Sequence, residues 1–133
     1  MSFRGFIEKL RAEGKLREIK TLLSPVYEVS SMVGKEATLF SDVNGSRVAM
    51  NILGSRDLLA NALGVAPENI ISHLSSRPPE GKVKLVKDSP TKEVMEKPDL
   101  SKLPILTHFT GDGAPYITAG VVVSEYEGVM NAS

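Results

Sequence analysis

The sequence predicts a mixed α/β domain, and three observations carry that expectation. Phe3, Phe6, Ile7 and Leu10 recur at helical spacing ahead of Gly14. Two short β-prone runs, Ala37–Phe40 and Arg47–Leu53, flank an Asn44-Gly45 pair suited to a tight hairpin. Helical and extended patterns also alternate without a regular strand–helix–strand repeat, which points to an α+β or mixed α/β layout.

Taken in order, Ser2 caps the first helix and Gly14 supplies the left-handed residue at its end. Lys15–Lys20 is extended. Ser24-Pro25 repeats a helix start, with Val26, Val29 and Val33 in one stripe ending at Gly34. After the hairpin, Gly54-Ser55 opens a helix through Leu58, Leu59 and Leu63 to Gly64. A further short helix starts at Pro67, with Ile70, Ile71 and Leu74 on one side. Ser75–Gly81 is a loop, because Pro78 and Pro79 forbid helix. Lys82–Lys87 alternates as a half-exposed strand does, and Pro90, Pro98 and Pro104 break up the segment from Asp88 to Leu106. Thr107–Pro115 reads as loop, and Tyr116–Tyr126 as the most convincing strand in the chain.

Composition narrows the function classes. The 133 residues allow one domain with a second element begun. Sixteen basic residues balance sixteen acidic ones, which argues against nucleic acid and leaves small molecules or proteins as partners. With no cysteine, disulfides, Cys-ligated zinc and Cys nucleophiles are excluded. No apolar run is long enough for stable membrane insertion and no secretory signal is visible, so a cytoplasmic protein is expected. The sequons Asn44-Gly45-Ser46 and Asn131-Ala132-Ser133 are then chance matches.

The candidate chemistry is sparse. His73 and His108 are the two histidines and stand apart, which suits surface, packing or structural roles better than a metal site. Gly111-Asp112-Gly113 lacks the full phosphate-loop pattern and reads as a tight turn into the following strand. Glu125 and Glu127 fall on one side of an extended chain, where facing water is the plainer reading than a catalytic pair. No nucleophile, base and orienting group can be assembled from these residues.

Several segments together resemble the UbiD family of decarboxylases. Phe3–Ile7 through Gly14–Ile19 is similar to that family's first helix and strand, with Lys15 at a usually acidic position. Ala37–Phe40, Asn51–Arg56 and Ala62–Gly64 resemble the family's next stretches. The most specific match is Leu103–Thr107 with Gly111–Gly120, where Ala114-Pro115 departs slightly from the family's Gly-Pro. Asn131-Ala132-Ser133 resembles the start of a motif whose arginine would lie two residues beyond Ser133.

The resemblance implies an N-terminal UbiD-type domain over residues 1–105, with 106–133 beginning a flavin-binding split β-barrel. It implies reversible, non-oxidative decarboxylation of an α,β-unsaturated or aromatic acid with prenylated FMN, Mn2+ and K+. Asn131 is the implied metal ligand and Ala132 offers its carbonyl to potassium. Ser133 lies near the flavin and Thr118 on the substrate side. The family's Arg/Glu catalytic network falls beyond Ser133, so the 133 residues alone are expected to be inactive, and the full-length form a homo-oligomer. Polyprenylated 4-hydroxybenzoate and anhydromevalonate phosphate are the competing substrates, and the absent cysteine and many lysines and glutamates lean to the second. A non-catalytic partner-binding domain, or one half of a split flavin protein, is the alternative.

Overall fold

A computed structural model describes residues 2–76, 93–127 and 129–132. The proposed strand Lys82–Lys87 and most of the loop before it lie outside these residues.

Helix α1 (Phe3–Ala12) starts where the Ser2 hydroxyl accepts the Gly5 amide at 3.2 Å. Beyond its end lies Gly14 at φ 67, a left-handed conformation that glycine adopts without a Cβ clash. Strand β1 (Leu16–Leu23) then runs parallel to β2 (Ala37–Val43), with Leu16 opposite Ala37 and Ile19 opposite Phe40. β2 turns antiparallel into β3 (Ser46–Met50). Asn44 and Gly45 both have positive φ (51 and 82), the signature of a type I′ turn, and Asp42 Oδ1 accepts the Gly45 amide at 2.9 Å. The hairpin is therefore as expected, except that β3 stops at Met50. Asn51 ends it by turning to φ 54 while its side chain donates to Gly34 O at 2.6 Å.

The sheet order is β1-β2-β3, so β2 is central and packed on both faces. On one side Phe6, Ile7 and Leu10 of α1 meet Ala37 and Leu39, joined by Ile52 and by Leu58 of α3 (Arg56–Leu63). On the other, Ile19, Leu23, Phe40 and Val43 enclose Val29 of α2 (Glu28–Met32) and Leu106. α3 opens on Ser55, which accepts the Leu58 amide at 3.2 Å, and closes on Gly64 at φ 71, as expected from the sequence.

Several sequence expectations need correction. The helix expected from Ser24-Pro25 begins only at Glu28, because Tyr27 (φ 63, ψ −32) forms a γ-turn in which Glu28 N donates to Val26 O at 2.8 Å. Ser24 does accept a local amide, that of Val26 at 3.1 Å, but this shapes the corner rather than a helix. The Tyr27 amide instead donates to Thr107 O at 2.9 Å, and Thr107 N returns a bond to Pro25 O at 3.1 Å. A non-local partner thus overrides the local start signal, and Val26 is exposed rather than part of a buried stripe.

The helix from Pro67 starts as a 3-10 turn (Pro67–Asn69) and becomes α4 (Ile70–Ser75), with Ile70 buried but Ile71 and Leu74 exposed. The long strand Tyr116–Tyr126 reduces to β4 (Val123–Tyr126), paired antiparallel with β5 (Val129–Ala132). Residues 116–122 are irregular, and Val123 is the first residue of the run to pair, opposite Ala132. Gly111–Gly113 is a turn, but it does not lead directly into that strand. Glu127, at φ 49, belongs to the hairpin turn and not to an extended pair with Glu125.

The centre of the sheet should be the costliest place to make a cavity. Phe40→Ala is expected to lose about 3–5 kcal/mol, a large share of a domain's roughly 5–15 kcal/mol, read as a lowered urea midpoint. The Tyr27 corner stores about 1–3 kcal/mol of backbone strain. Tyr27→Gly should therefore be more stable than Tyr27→Ala by roughly 1 kcal/mol, reversing the ordinary order of the two residues. Equal urea midpoints for these variants would show that no strain is held there.

Candidate functional site

Adjoining cavities follow the edge of β3 that has no strand partner among the described residues, and the adjacent face of α1. One, about 790 Å³, lies between Phe3 and Phe6 of α1, the Ala49–Gly54 turn, and Thr118 with Ala119. A second, about 260 Å³, is walled by Val48–Met50, Leu103–Leu106, His108 and the Tyr116–Ala119 segment. Thr118 therefore stands on the rim shared by both. The residues lining the larger cavity are apolar apart from Ser2, Asn51 and Thr118. That lining suits an apolar group fixed by one or two hydrogen bonds, and it contains no acid–base pair.

The loop that carries Thr118 to this rim is tied at several points. Asp112 Oδ2 accepts the His108 and Phe109 amides at 2.9 and 2.8 Å, and Tyr116 N donates to Leu106 O at 3.1 Å. His108 Nδ1 and Ser30 Oγ share a hydrogen bond of 2.9 Å across 78 residues of sequence. The imidazole also lies 5.0 Å from the Tyr116 ring at 54° and 6.5 Å from that of Phe109. The sequence marks His108 as structural but assigns it no partner. Asp112, in its Gly-Asp-Gly setting four residues on, is the one local signal of this closed loop. His73 is half-buried on α4.

A third cavity of about 450 Å³ on the α1 side is lined by Arg4, Arg11 and Arg47. Arg11 is committed to Glu8 and, at 2.6 Å, to Glu18, and these carboxylates raise its pKa further. In return, the hydrogen bond from Arg11 lowers the Glu18 pKa below the ordinary glutamate value. Glu13 is lowered chiefly by Lys15, then by the Asn61 amide that donates to it at 2.6 Å.

Of the sites inferred from sequence, Thr118 reaches a cavity. Asn131 and Ala132 lie on β5 opposite Ser124 and Val123. Among the described residues nothing joins them to Thr118, and Ser133 lies outside those residues. An asparagine amide oxygen and a main-chain carbonyl are neutral oxygen donors, the type that hard cations take. They fit a share of a metal site. Among the described residues, no group of three or more His, Asp or Glu side chains converges to complete one. No described helix is long and apolar enough to cross a membrane.

Comparison with known proteins agrees with this architecture. Residues 7–77 match the 3-octaprenyl-4-hydroxybenzoate carboxy-lyase N-terminal domain, and residues 83–133 match the Rift-related domain of the same carboxy-lyase. The chain belongs to the UbiD family. Anhydromevalonate phosphate decarboxylase of Methanosarcina mazei is 59% identical over 100% of the chain, and that of Aeropyrum pernix is 31% identical over 99%. The chain spans about a third of these relatives, 32% and 31% of their lengths. The UbiD-class enzyme HmfF from Pelotomaculum thermopropionicum, solved with FMN, superposes with a TM-score of 0.82 at 33% identity, over 98% of this chain and 32% of that one. An evolved dimeric form of HmfF, solved with prFMN, gives 0.84 at 32% identity, over 99% of this chain and 34% of that one.

The electrostatics predict a sign for pH dependence. Glu13 and Glu18 have lowered pKa values in the folded chain, so the unfolded chain binds more protons in acid. Their contribution is present above the ordinary glutamate range, about pH 4.3, and is lost as pH falls through the lowered values. Glu18→Gln should therefore flatten the fall in urea midpoint between neutral pH and about pH 3. An unchanged fall would show that the Arg11–Glu18 pair carries none of it. Both groups are solvent-exposed, so the effect is small and weakens with salt.

Proposed function

We propose that this chain supplies the N-terminal domain, residues 1–105, and the opening hairpin, from residue 106, of a prenylated-flavin-dependent carboxy-lyase. The observation that carries the reading is 59% identity over the whole chain to a relative named anhydromevalonate phosphate decarboxylase. The same name recurs at lower identity in Archaeoglobus fulgidus and Aeropyrum pernix, which favours a phosphorylated unsaturated acid over a polyprenylated hydroxybenzoate as substrate.

Prenylated FMN, when bound, supplies the electron sink for loss of CO2. The chain's own residues serve binding and placement. Thr118 lines the substrate side of the cleft with its hydroxyl at the shared rim. Asn131 would offer an amide oxygen to a divalent cation such as Mn2+, Ala132 would offer a carbonyl to K+, and Ser133 would serve the flavin side. The acid–base groups come from elsewhere in the complete enzyme, a homo-oligomer. A single asparagine and a carbonyl do not hold a cation usefully, because affinity depends on convergent ligands. The 133 residues alone therefore neither retain flavin nor decarboxylate.

The test is co-expression with a flavin prenyltransferase of this chain alone and of the chain joined in frame to the rest of the Methanosarcina mazei relative. The joined protein is expected to retain flavin absorbance and manganese, and Asn131→Ala to lose most of the manganese. The chain alone should retain neither. Absence of flavin from a folded joined protein would overturn the reading, and CO2 release by the chain alone would overturn its inactivity.

A further inference from the structure

We propose that His108 is a positioning residue that sets where Thr118 stands on the cavity rim. The role of Thr118 rests on the carboxy-lyase reading, but the positioning itself does not.

The segment before Thr118 has two feet. At the first, Thr107 is held to the Tyr27 corner by the paired backbone bonds at 2.9 and 3.1 Å, and Leu106 is buried in the core beneath it. At the second, Tyr116 returns to the start of the loop through its amide bond to Leu106 O at 3.1 Å. The Asp112 carboxylate closes the tip between them by accepting two successive amides. The His108 imidazole bridges these parts to the rest of the fold. Its Nδ1 reaches Ser30 of α2 at 2.9 Å, and its ring lies tilted against Tyr116 at 5.0 Å.

The residue type follows from that double contact. Asparagine could reach Ser30 but offers no ring to Tyr116, whereas phenylalanine offers the ring but has no partner for the Ser30 hydroxyl. Thr118 follows Tyr116 by two residues, and both line the same 260 Å³ cavity as His108. A shift of the Tyr116 ring therefore displaces the Thr118 rim directly. Ser30 belongs to α2, which is anchored by the fully buried Val29, so the reference point for this placement is the Phe40 face of the central sheet, the face that also holds Leu106.

Amide exchange and methyl NMR on the whole 133-residue chain test the proposal. In His108→Ala, the Tyr116 amide is expected to exchange about tenfold faster, from one lost aromatic contact and one lost hydrogen bond. The Thr118 methyl resonance should shift, while exchange of the Phe40 amide in β2 stays unchanged. His108→Phe should recover part of the Tyr116 protection. Ser30→Ala should show a smaller version of the alanine effect and add nothing to it in the double variant. A general structural role would instead accelerate Phe40 and Tyr116 together, and that result would overturn the proposal. So would unchanged Tyr116 exchange in both His108→Ala and Ser30→Ala. If these shifts appear while the chain joined to the rest of its Methanosarcina mazei relative binds no flavin, the positioning stands and the functional reading falls.

Discussion

Burial of β2 on both faces constrains the rest of the molecule. Thr38, Phe40 and Val43 are shielded from water, so each face of the strand needs its own cover, and the chain supplies two different ones. Helices α1 and α3 pack on the Leu39 side, while α2 and the Leu106 segment pack on the Phe40 side. The parallel β1–β2 pairing follows from this arrangement, because a parallel return requires a crossover, and the stretch holding α2 crosses on the Phe40 side. Leu106 is far from α2 in sequence, yet it fills the same core. The polypeptide therefore has to return to the first sheet before it can begin the hairpin of β4 and β5.

That return explains the strained corner. Tyr27 accepts an unfavourable backbone conformation and α2 gives up its first turn, while the Tyr27 amide donates to Thr107 O and the Thr107 amide to Pro25 O, docking the returning segment. The carboxy-lyase reading adds a reason for strict docking at this point. The residues just beyond it carry Thr118 to the edge of β3, and a binding wall is useful only if it is held to within a fraction of an ångström. A loop of glycine and small polar residues cannot supply such stiffness alone. The Asp112 carboxylate and the His108 bridge supply it through side chains.

Much of the fold was legible because its signals are local. Ser2 and Ser55 cap helices within three residues of themselves, and Asn44-Gly45 makes its turn with its own backbone. The misread elements depend on partners distant in sequence. Ser24-Pro25 carries a sound start signal that loses to Thr107, some eighty residues later in the chain. The run before Val123 is rich in β-branched residues, yet propensity alone does not make a strand, and among the described residues only Val123–Tyr126 of the Tyr116–Tyr126 stretch is ladder-paired. Ile71 and Leu74 keep helical spacing but remain exposed, since periodicity marks a face and does not say what covers it.

The candidate site divides along the same line. By itself the sequence determined the family, through strings such as Gly111–Gly120, and nominated Thr118, Asn131 and Ala132 as site candidates, because residue identity in order survives without coordinates. Only the tertiary structure decided that Thr118 shares a cavity with β3, and that a solitary histidine meets a serine 78 positions away. The physical reason is range. Caps, turns and motif chemistry act over a few residues and are written in neighbours, whereas cavities and bridges arise where distant segments are driven together by burial of a common core.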